Sequence, residues 1–196
     1  MSNAKLRIDG VAVAIDDQAV LLRGQSGSGR SDLALRLIDE GARLISDEQV
    51  ELQRRDGRLF VSVPELMPAE LKGVIEARGL GLVPVPHVAD AKPLAWVIDM
   101  AAPAEIERLP GALTTEYLGI DVALLKLDPS AVSATAKLRL AVKCGPAHIM
   151  GRTRSEGLRH SPIPRPRCPT RLTVKLTAKR NRMSPRCVRC GGISCW

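Results

Sequence analysis

The residues best suited to chemistry lie in a glycine-rich run at positions 24–31, which reads Gly-Gln-Ser-Gly-Ser-Gly-Arg-Ser. It nearly matches the pattern G-x-x-x-x-G-K-[ST], in which successive backbone N–H groups curl around a phosphate because glycines permit the required backbone angles. A serine at the last position can hold Mg²⁺, and the basic residue before it can reach the outer phosphates. The polyphosphate site predicted by this run consists of Gly24, Gln25, Ser26, Gly27, Ser28, Gly29, Arg30 and Ser31.

The basic residue of the run is Arg30 where the pattern has lysine. Arginine keeps the positive charge, but it is longer and planar and donates hydrogen bonds as a fork rather than from a point. Binding of a nucleotide is compatible with this change, whereas the geometry of phosphoryl transfer is altered by it. The alternative is a Gly/Ser-rich turn between a strand and a helix that binds nothing.

Two carboxylates, Asp47 and Glu48, follow a short run at 43–45, Arg-Leu-Ile, which is read as a strand. If that run is a strand parallel to the one before the loop, its end lies near the phosphate site. A carboxylate there could bind Mg²⁺ or accept a proton from an attacking hydroxyl. The alternative is a solvated turn or the N-cap of a helix.

A second signature, Glu-Ala-Arg-Gly-Leu-Gly, occupies positions 76–81. On a strand, Glu76 and Arg78 would point to the same face because side chains alternate. The two glycines then allow a ligand or another backbone to approach closely. The alternative is a strand that ends in a glycine-rich turn and carries a surface ion pair.

The elements that must position these residues are short. Apolar runs on either side of Asp16-Asp17 predict neighbouring strands, Gly41 predicts the end of the helix that follows the loop, and Asp56-Gly57 predicts a hairpin. Many short strands with two or three helices indicate an α/β or α+β domain. The predicted strands lie at 11–15, 19–22, 43–45, 50–52, 59–63, 94–100 and 121–127, and a closing helix at 131–142.

The charge of the chain is divided between two regions. Residues 1–142 hold 16 Lys/Arg and 20 Asp/Glu, whereas residues 143–196 hold 13 Lys/Arg and one acid. All five cysteines and four closely spaced prolines also lie in the second region. We therefore expect a folded domain at 1–142 and a disordered basic tail at 143–196, which fits a shifted reading frame or a non-homologous extension.

Other function classes are less well supported. Cys187 and Cys190 form half of a zinc site with no well-spaced partners, and the three histidines are scattered. The arginines of the tail could bind nucleic acid through phosphates, but Trp196 is the only aromatic residue there, so we expect no nucleic-acid function. No apolar run reaches the ~18 residues of a membrane helix and no basic leader precedes an apolar stretch, so we expect a cytoplasmic location without membrane contact.

Taken together, the motifs resemble those of the catalytic domain of HPr kinase/phosphorylase, in its short single-domain proteobacterial form. The similarity covers roughly residues 8–142. It is carried, in order, by residues 24–35, 44–50, 75–81, 127–129 and 136–141.

The resemblance implies an α/β phosphate-loop domain akin to phosphoenolpyruvate carboxykinase, with a mixed sheet and few helices. Members of this family transfer the γ-phosphate of ATP to a serine of the phosphocarrier protein HPr, and they reverse the reaction with inorganic phosphate. They need Mg²⁺ and commonly form hexamers. The resemblance therefore implies ATP and Mg²⁺ as cofactors, an HPr-like phosphocarrier as partner, and a homo-oligomer.

The family's functional residues carry over by position. Residues 24–31 would bind the nucleotide phosphates, with Arg30 as their cation. Ser31 and Glu76 would lie at the metal. Asp47 would accept the serine proton in phosphorylation and return it in the reverse step, and Arg78 would lie near the transferred phosphoryl group.

Three positions depart from the family pattern. Arg30 replaces lysine, Asp9 stands where the family has a histidine, and Glu48 replaces a second aspartate. In a transfer that depends on stabilising charge, losing the lysine and the histidine could each cost orders of magnitude in rate. A catalytically impaired nucleotide-binding regulator on the same fold is therefore the alternative function.

Overall fold

The computed structural model describes residues 4–149, and strands outnumber helices in that part of the chain. The strands are β1 (Lys5–Asp9), β2 (Val11–Ile15), β3 (Gln18–Arg23), β4 (Arg43–Ser46), β5 (Gln49–Arg55), β6 (Arg58–Ser62), β7 (Val74–Ala77), β8 (Gly81–Pro84), β9 (Lys92–Met100), β10 (Leu113–Tyr117) and β11 (Ile120–Leu127). The α-helices are α1 (Arg30–Asp39) and α2 (Ala134–Cys144). The predictions made for residues 150–196 lie outside the described residues.

Nine strands form one mixed sheet in the order β1-β5-β6-β9-β3-β2-β4, with β11 also paired to β9 and β10 paired to β11. Strand β9 runs parallel to β3 and β11 and antiparallel to β6. Strands β7 and β8 form a separate hairpin. The prediction of an α/β domain with a mixed sheet and few helices is therefore confirmed.

Strand β2 is buried on both faces, which explains its unbroken apolar sequence. Because successive side chains point to opposite faces of a strand, Val11 and Val13 join the core beneath the helices, whereas Ala12 and Ala14 join a second core. The second core is lined by residues of β5 and β6, such as Leu52. The sheet therefore packs helices on one side and its own outer strands on the other.

Helix α1 follows directly from its sequence. Leu33, Ala34, Leu37 and Ile38 are buried, a spacing that places them on one face of a helix. The helix ends because Gly41 adopts a φ of 99°, and the amides of Gly41 and Ala42 bond back to the carbonyls of Ile38 and Leu37. This is the glycine-terminated end that the sequence predicts.

Helix α2 is tied to the C-terminal end of α1. The Thr135 hydroxyl donates to the Glu40 carboxylate at 2.6 Å, and Arg139 donates to the Glu40 carbonyl. The helix begins three residues later than predicted and runs to Cys144, two residues further.

The predicted hairpin at Asp56-Gly57 is confirmed. It joins β5 to β6, with φ angles of 47° and 72° at its two central residues, as a two-residue turn with matching twist requires. Strands β1 and β10 were missed. No helix of residues 4–149 is long and apolar enough to cross a membrane.

Candidate active site

The glycine-rich loop connects β3 to the start of α1. The Ser28 amide donates to the Gln25 carbonyl at 3.1 Å, which closes a turn, and Gly29 at the N-cap adopts a φ of 89° without a capping side chain. The first backbone hydrogen bond of the helix runs from the Leu33 amide to Gly29. The amides of residues 30–32 and the positive end of the helix dipole are thus available to an anion at this place.

Two glycines of the loop have left-handed backbones but different surroundings. A Cβ at Gly29 would lie 3.2 Å from the Pro129 ring, whereas a Cβ at Gly27, where φ is 80°, would meet nothing within 4 Å. The carbonyl of Pro129 accepts a hydrogen bond from Arg36 of α1, so the ring is held in place. Gly29 is therefore constrained by both conformation and space, and Gly27 by conformation alone.

We expect Gly27→Ala to lower the free energy of unfolding by about 1 kcal/mol, since an alanine in a left-handed backbone costs about that much. Gly29→Ala should cost roughly 2 kcal/mol or more, because the contact with Pro129 adds overpacking to the backbone strain. Urea unfolding of the two variants measures the difference. Equal losses would show that Pro129 does not constrain the loop.

The hydroxyl of Ser28 is buried and has no hydrogen-bond partner among the described residues. It lies on the inner side of the loop, 2.5 Å from where a Cβ at Gly24 would be. A buried hydroxyl without a partner costs about 1–3 kcal/mol. The loop thus has unused hydrogen-bonding capacity, in keeping with a site for a polar ligand such as phosphate.

Asp47 is the residue on which the separate motifs meet. The Ser31 hydroxyl donates to its Oδ1 at 3.1 Å, and the Glu76 amide donates to its Oδ2 at 3.1 Å. Strands β3 and β4 are each antiparallel to β2, so they run parallel to each other and end at the same edge of the sheet. The sheet therefore brings the loop and Asp47 together, and β7 supplies the third contact.

The expectation that Glu76 and Arg78 share a strand face is wrong. Strand β7 ends at Ala77, and Arg78 lies in the turn, because Gly79 and Gly81 adopt φ angles of 90° and 101°. Both side chains are exposed, and within residues 4–149 neither makes a side-chain hydrogen bond or ion pair. The two glycines thus reverse the direction of the chain between β7 and β8. Arg78 lies beyond the last residue of β7, so the alternation of side chains along the strand does not apply to it.

The departures at positions 9 and 48 occur at one place. The Gly10 amide donates to the Glu48 carbonyl at 2.8 Å, and the Gln49 side chain donates to Asp9 at 3.3 Å. Glu48 has a φ of 70°, which is a strained conformation for a residue other than glycine.

Arg30, at the first residue of α1, has no side-chain partner in the described part of the chain. Its guanidinium is therefore available to a ligand.

Sequence reasoning missed an ion pair beside the loop. Arg23, the last residue of β3, donates through Nε and Nη2 to Asp99 at 2.6 and 2.9 Å, and through Nη1 to the Tyr117 hydroxyl at 2.8 Å. The hydrogen bond to Asp99, followed by that to Tyr117, raises the pKa of Arg23 above its usual range. The sequence signal that could have indicated this ion pair is a charged residue at or near the end of each of two apolar runs, Arg23 after 19–22 and Asp99 in 94–100.

The described residues contain no group of three or more His, Cys, Asp or Glu that could hold a metal. The cysteines of the half zinc site lie outside them. Mg²⁺ is usually bound by one or two carboxylates together with phosphates and water. The Ser31 hydroxyl, which lies 3.1 Å from Oδ1 of Asp47, and the exposed carboxylate of Glu76 are oxygen donors of the kind that this mode uses.

Residues 2–135 match the family model of the HPr Serine kinase C-terminal domain. The chain belongs to this family. The HPr kinase/phosphorylase of Enterococcus faecalis is 30% identical over 138 residues, which are 70% of this chain and 42% of that protein. That of Clostridium tetani is 31% identical over 115 residues, which are 59% of this chain and 36% of that protein.

A solved structure supports the fold. The HPr(Ser) kinase/phosphatase from Coxiella burnetii aligns with a TM-score of 0.60 and 24% identity, covering 70% of this chain and 94% of that one. The first curated relatives are longer, and this chain spans only 36% of the Clostridium tetani protein and 42% of the Enterococcus faecalis protein. The identification of the family from its sequence motifs is confirmed.

Proposed function

We propose that this chain is an ATP-dependent protein-serine kinase and phosphorylase that acts on an HPr-like phosphocarrier protein. Residues 1–142 would be the catalytic domain, and by analogy with the family it would work as a cytoplasmic homo-oligomer, a hexamer. The observation that carries the proposal is the contact of Asp47 with both the Ser31 hydroxyl and the Glu76 amide. This contact brings together the glycine-rich loop at 24–31, the carboxylate after β4 and the signature at 76–81.

The chain's own groups account for each task of in-line phosphoryl transfer. The amides of residues 24–31 and the positive end of α1 would bind the nucleotide phosphates, and Arg30 would stabilise charge on the outer ones. Ser31 and Glu76 would hold Mg²⁺, which neutralises phosphate charge when it is bound. Arg78 would lie near the transferred group at the start of the glycine turn.

Asp47 would handle the proton. As a carboxylate it would accept the proton of the acceptor serine hydroxyl, and in the phosphorolytic direction it would return that proton to the serine oxygen. Its position supports this role, because its Oδ1 is within hydrogen-bond distance of a hydroxyl of the loop. A carboxylate that reaches the Ser31 hydroxyl is placed for a substrate hydroxyl beside the phosphates.

The alternative is a nucleotide-binding regulator that does not transfer phosphate. It is favoured by Arg30 in place of the usual lysine and by Asp9 in place of a histidine. Asp9 accepts a hydrogen bond from the side chain of Gln49, two residues after Asp47. Both proposals include ATP binding, so binding alone does not separate them.

Incubation with γ-labelled ATP, Mg²⁺ and an HPr-like protein separates the two functions. We expect label on a serine of the acceptor, and its release as pyrophosphate when inorganic phosphate is added. Calorimetry with Mg·ATP is the parallel measurement. Binding without transfer would favour the regulator, and absence of binding by the folded chain would refute both.

A further inference from the structure

The hairpin of β7 and β8 carries exposed apolar side chains beside the candidate site. Eight large apolar side chains are exposed among the described residues, and four of them lie between positions 66 and 82: Leu66, Leu71, Leu80 and Leu82. Leu80 lies in the turn of the hairpin and Leu82 in β8, with exposed fractions of 80% and 65%. Clustered apolar side chains on a surface mark an interaction site, whereas scattered ones need no explanation.

The register of the hairpin places Leu82 near Asp47. Leu82 lies directly opposite Glu76, whose amide donates to Oδ2 of Asp47 at 3.1 Å. That amide therefore points away from β8, and Glu76 and Leu82 form one of the pairs without mutual hydrogen bonds, in which the Cα atoms are about 4.5 Å apart. The Cα atom of Leu82 is thus within about 10 Å of the Asp47 carboxylate.

The side chain of Leu82 lies on the solvent side of the hairpin. Ile75 and Ala77, on either side of Glu76, are buried, and Ile75 belongs to the core beneath the helices. Because side chains alternate along a strand and directly opposed residues share a face, Glu76 and Leu82 both point away from that core. Within residues 4–149, β7 is the only strand that pairs with β8. The outer face of the hairpin is therefore open to a partner.

We propose that Leu80 and Leu82 form a docking patch for the acceptor protein, which contacts them through apolar side chains of its own while its serine reaches Asp47. The inference rests on the proposed function, because it concerns the acceptor of the same transfer. A standard protein–protein interface covers about 800 Å² on each partner, which is a disc about 16 Å in radius. An acceptor centred on Asp47 therefore covers Leu82.

A second copy of this chain is the other candidate occupant of the docking patch. A permanent subunit contact over Leu82 would lie within about 10 Å of Asp47 and would obstruct an acceptor protein at the same place. A phosphocarrier must bind and leave in each catalytic cycle. Two exposed leucines suit such a transient contact better than the large apolar surface of a permanent interface.

The test is steady-state transfer of label from γ-labelled ATP to an HPr-like protein at varied acceptor concentrations. The full-length wild type is compared with a double variant that carries Leu80→Ser and Leu82→Thr, since threonine keeps the β-propensity of the strand. We expect the KM for the acceptor to rise by about tenfold or more, because apolar burial is lost. The kcat should stay within about twofold, because the lost binding is equal in the ground and transition states. Calorimetry should show unchanged affinity for Mg·ATP.

Leu140→Ser is the matched control. Leu140 is 61% exposed on α2, and its neighbour Arg139 donates to the Glu40 carbonyl at the C-terminal end of α1, the far end of that helix from the loop. We expect a wild-type KM from this variant. A rise in KM equal to that of the double variant would show that loss of any exposed leucine has this effect, and would overturn the inference.

Other outcomes separate docking from the alternatives. A fall in kcat without a rise in KM would show that the leucines act on the shape of the site rather than on docking, and would overturn the inference. A change in the oligomeric size of the double variant in sedimentation velocity would assign the docking patch to a second copy instead. If the double variant does not fold, Leu80→Ser alone takes its place, with an expected rise in KM of about threefold, and an unchanged KM would overturn the inference.

Failure of the proposed function is distinguishable from failure of the docking patch. A wild type that transfers no label to the acceptor refutes the proposed function and the inference together. A wild type that transfers label with the same KM as the double variant refutes the inference alone.

Discussion

Replacing Asp47 by asparagine is expected to slow phosphoryl transfer to the acceptor serine by about 100- to 10,000-fold, the usual contribution of a general base. The amide oxygen can still accept the hydrogen bond of the Glu76 N–H, and the Ser31 hydroxyl can rotate to accept a hydrogen bond from the amide NH2 group. The site should therefore keep its shape while losing the group that takes the proton. Single-turnover transfer of label from γ-labelled ATP measures the rate, and calorimetry with Mg·ATP should show a much smaller change in affinity.

Asp39→Asn is the matched control for Asp47→Asn. It removes the same charge from an exposed residue at the C-terminal end of α1, at the far end of the helix from the loop. We expect wild-type rates and affinity from it. Transfer by Asp47→Asn within about fivefold of the wild type would show that another group acts as the base.

The second large effect is expected at Arg30. Arg30→Met removes the cation at the first residue of α1 and should slow transfer by about 100- to 1,000-fold, as removal of a donor to developing charge does in other enzymes. Binding of Mg·ATP should weaken by about tenfold or more, the value of one charged hydrogen bond. Arg43→Met is the control, because Arg43 is exposed at the start of β4, at the opposite end of that strand from the site.

Arg30→Lys distinguishes the proposed enzyme from the regulator. If the chain is an active kinase with arginine, the lysine variant should transfer phosphate within about tenfold of the wild-type rate, since both residues carry the charge. If the chain is a regulator, transfer should appear only in the lysine variant. An Arg30→Met variant that retains full activity would contradict the assignment of Arg30 as the phosphate cation.

Local features of the fold were accessible from the sequence because neighbouring residues determine them. The glycine at position 41 ends α1, Asp56-Gly57 forms the predicted hairpin, and the apolar runs around Asp16-Asp17 form β2 and β3. Each of these depends on backbone angles that few residue types adopt. Strand β10 was not predicted because its residues are mostly exposed and polar, and they lack the apolar alternation that marks a half-buried strand.

The candidate site was predicted in part for the same reason. The motif at 24–31 and the carboxylates after β4 were recognisable, since each is a short run of residue types suited to phosphate or proton chemistry. Arg78 was misplaced because alternation was extended past Ala77, the last residue of β7, to the residue before Gly79, whose φ of 90° turns the chain. The family resemblance implied that the motifs belong to one site, but it did not show which of their atoms are in contact.

The sequence by itself thus determined the loop, the two flanking signatures and their order along the chain, because these are encoded by contiguous residues. Only the tertiary structure decided that Asp47 meets both Ser31 and Glu76, and that Asp99 is bonded to Arg23. Partners 16, 29 and 76 positions apart are selected by strand order and register. Those depend on how the whole sheet buries its two faces, which no single segment of the chain specifies.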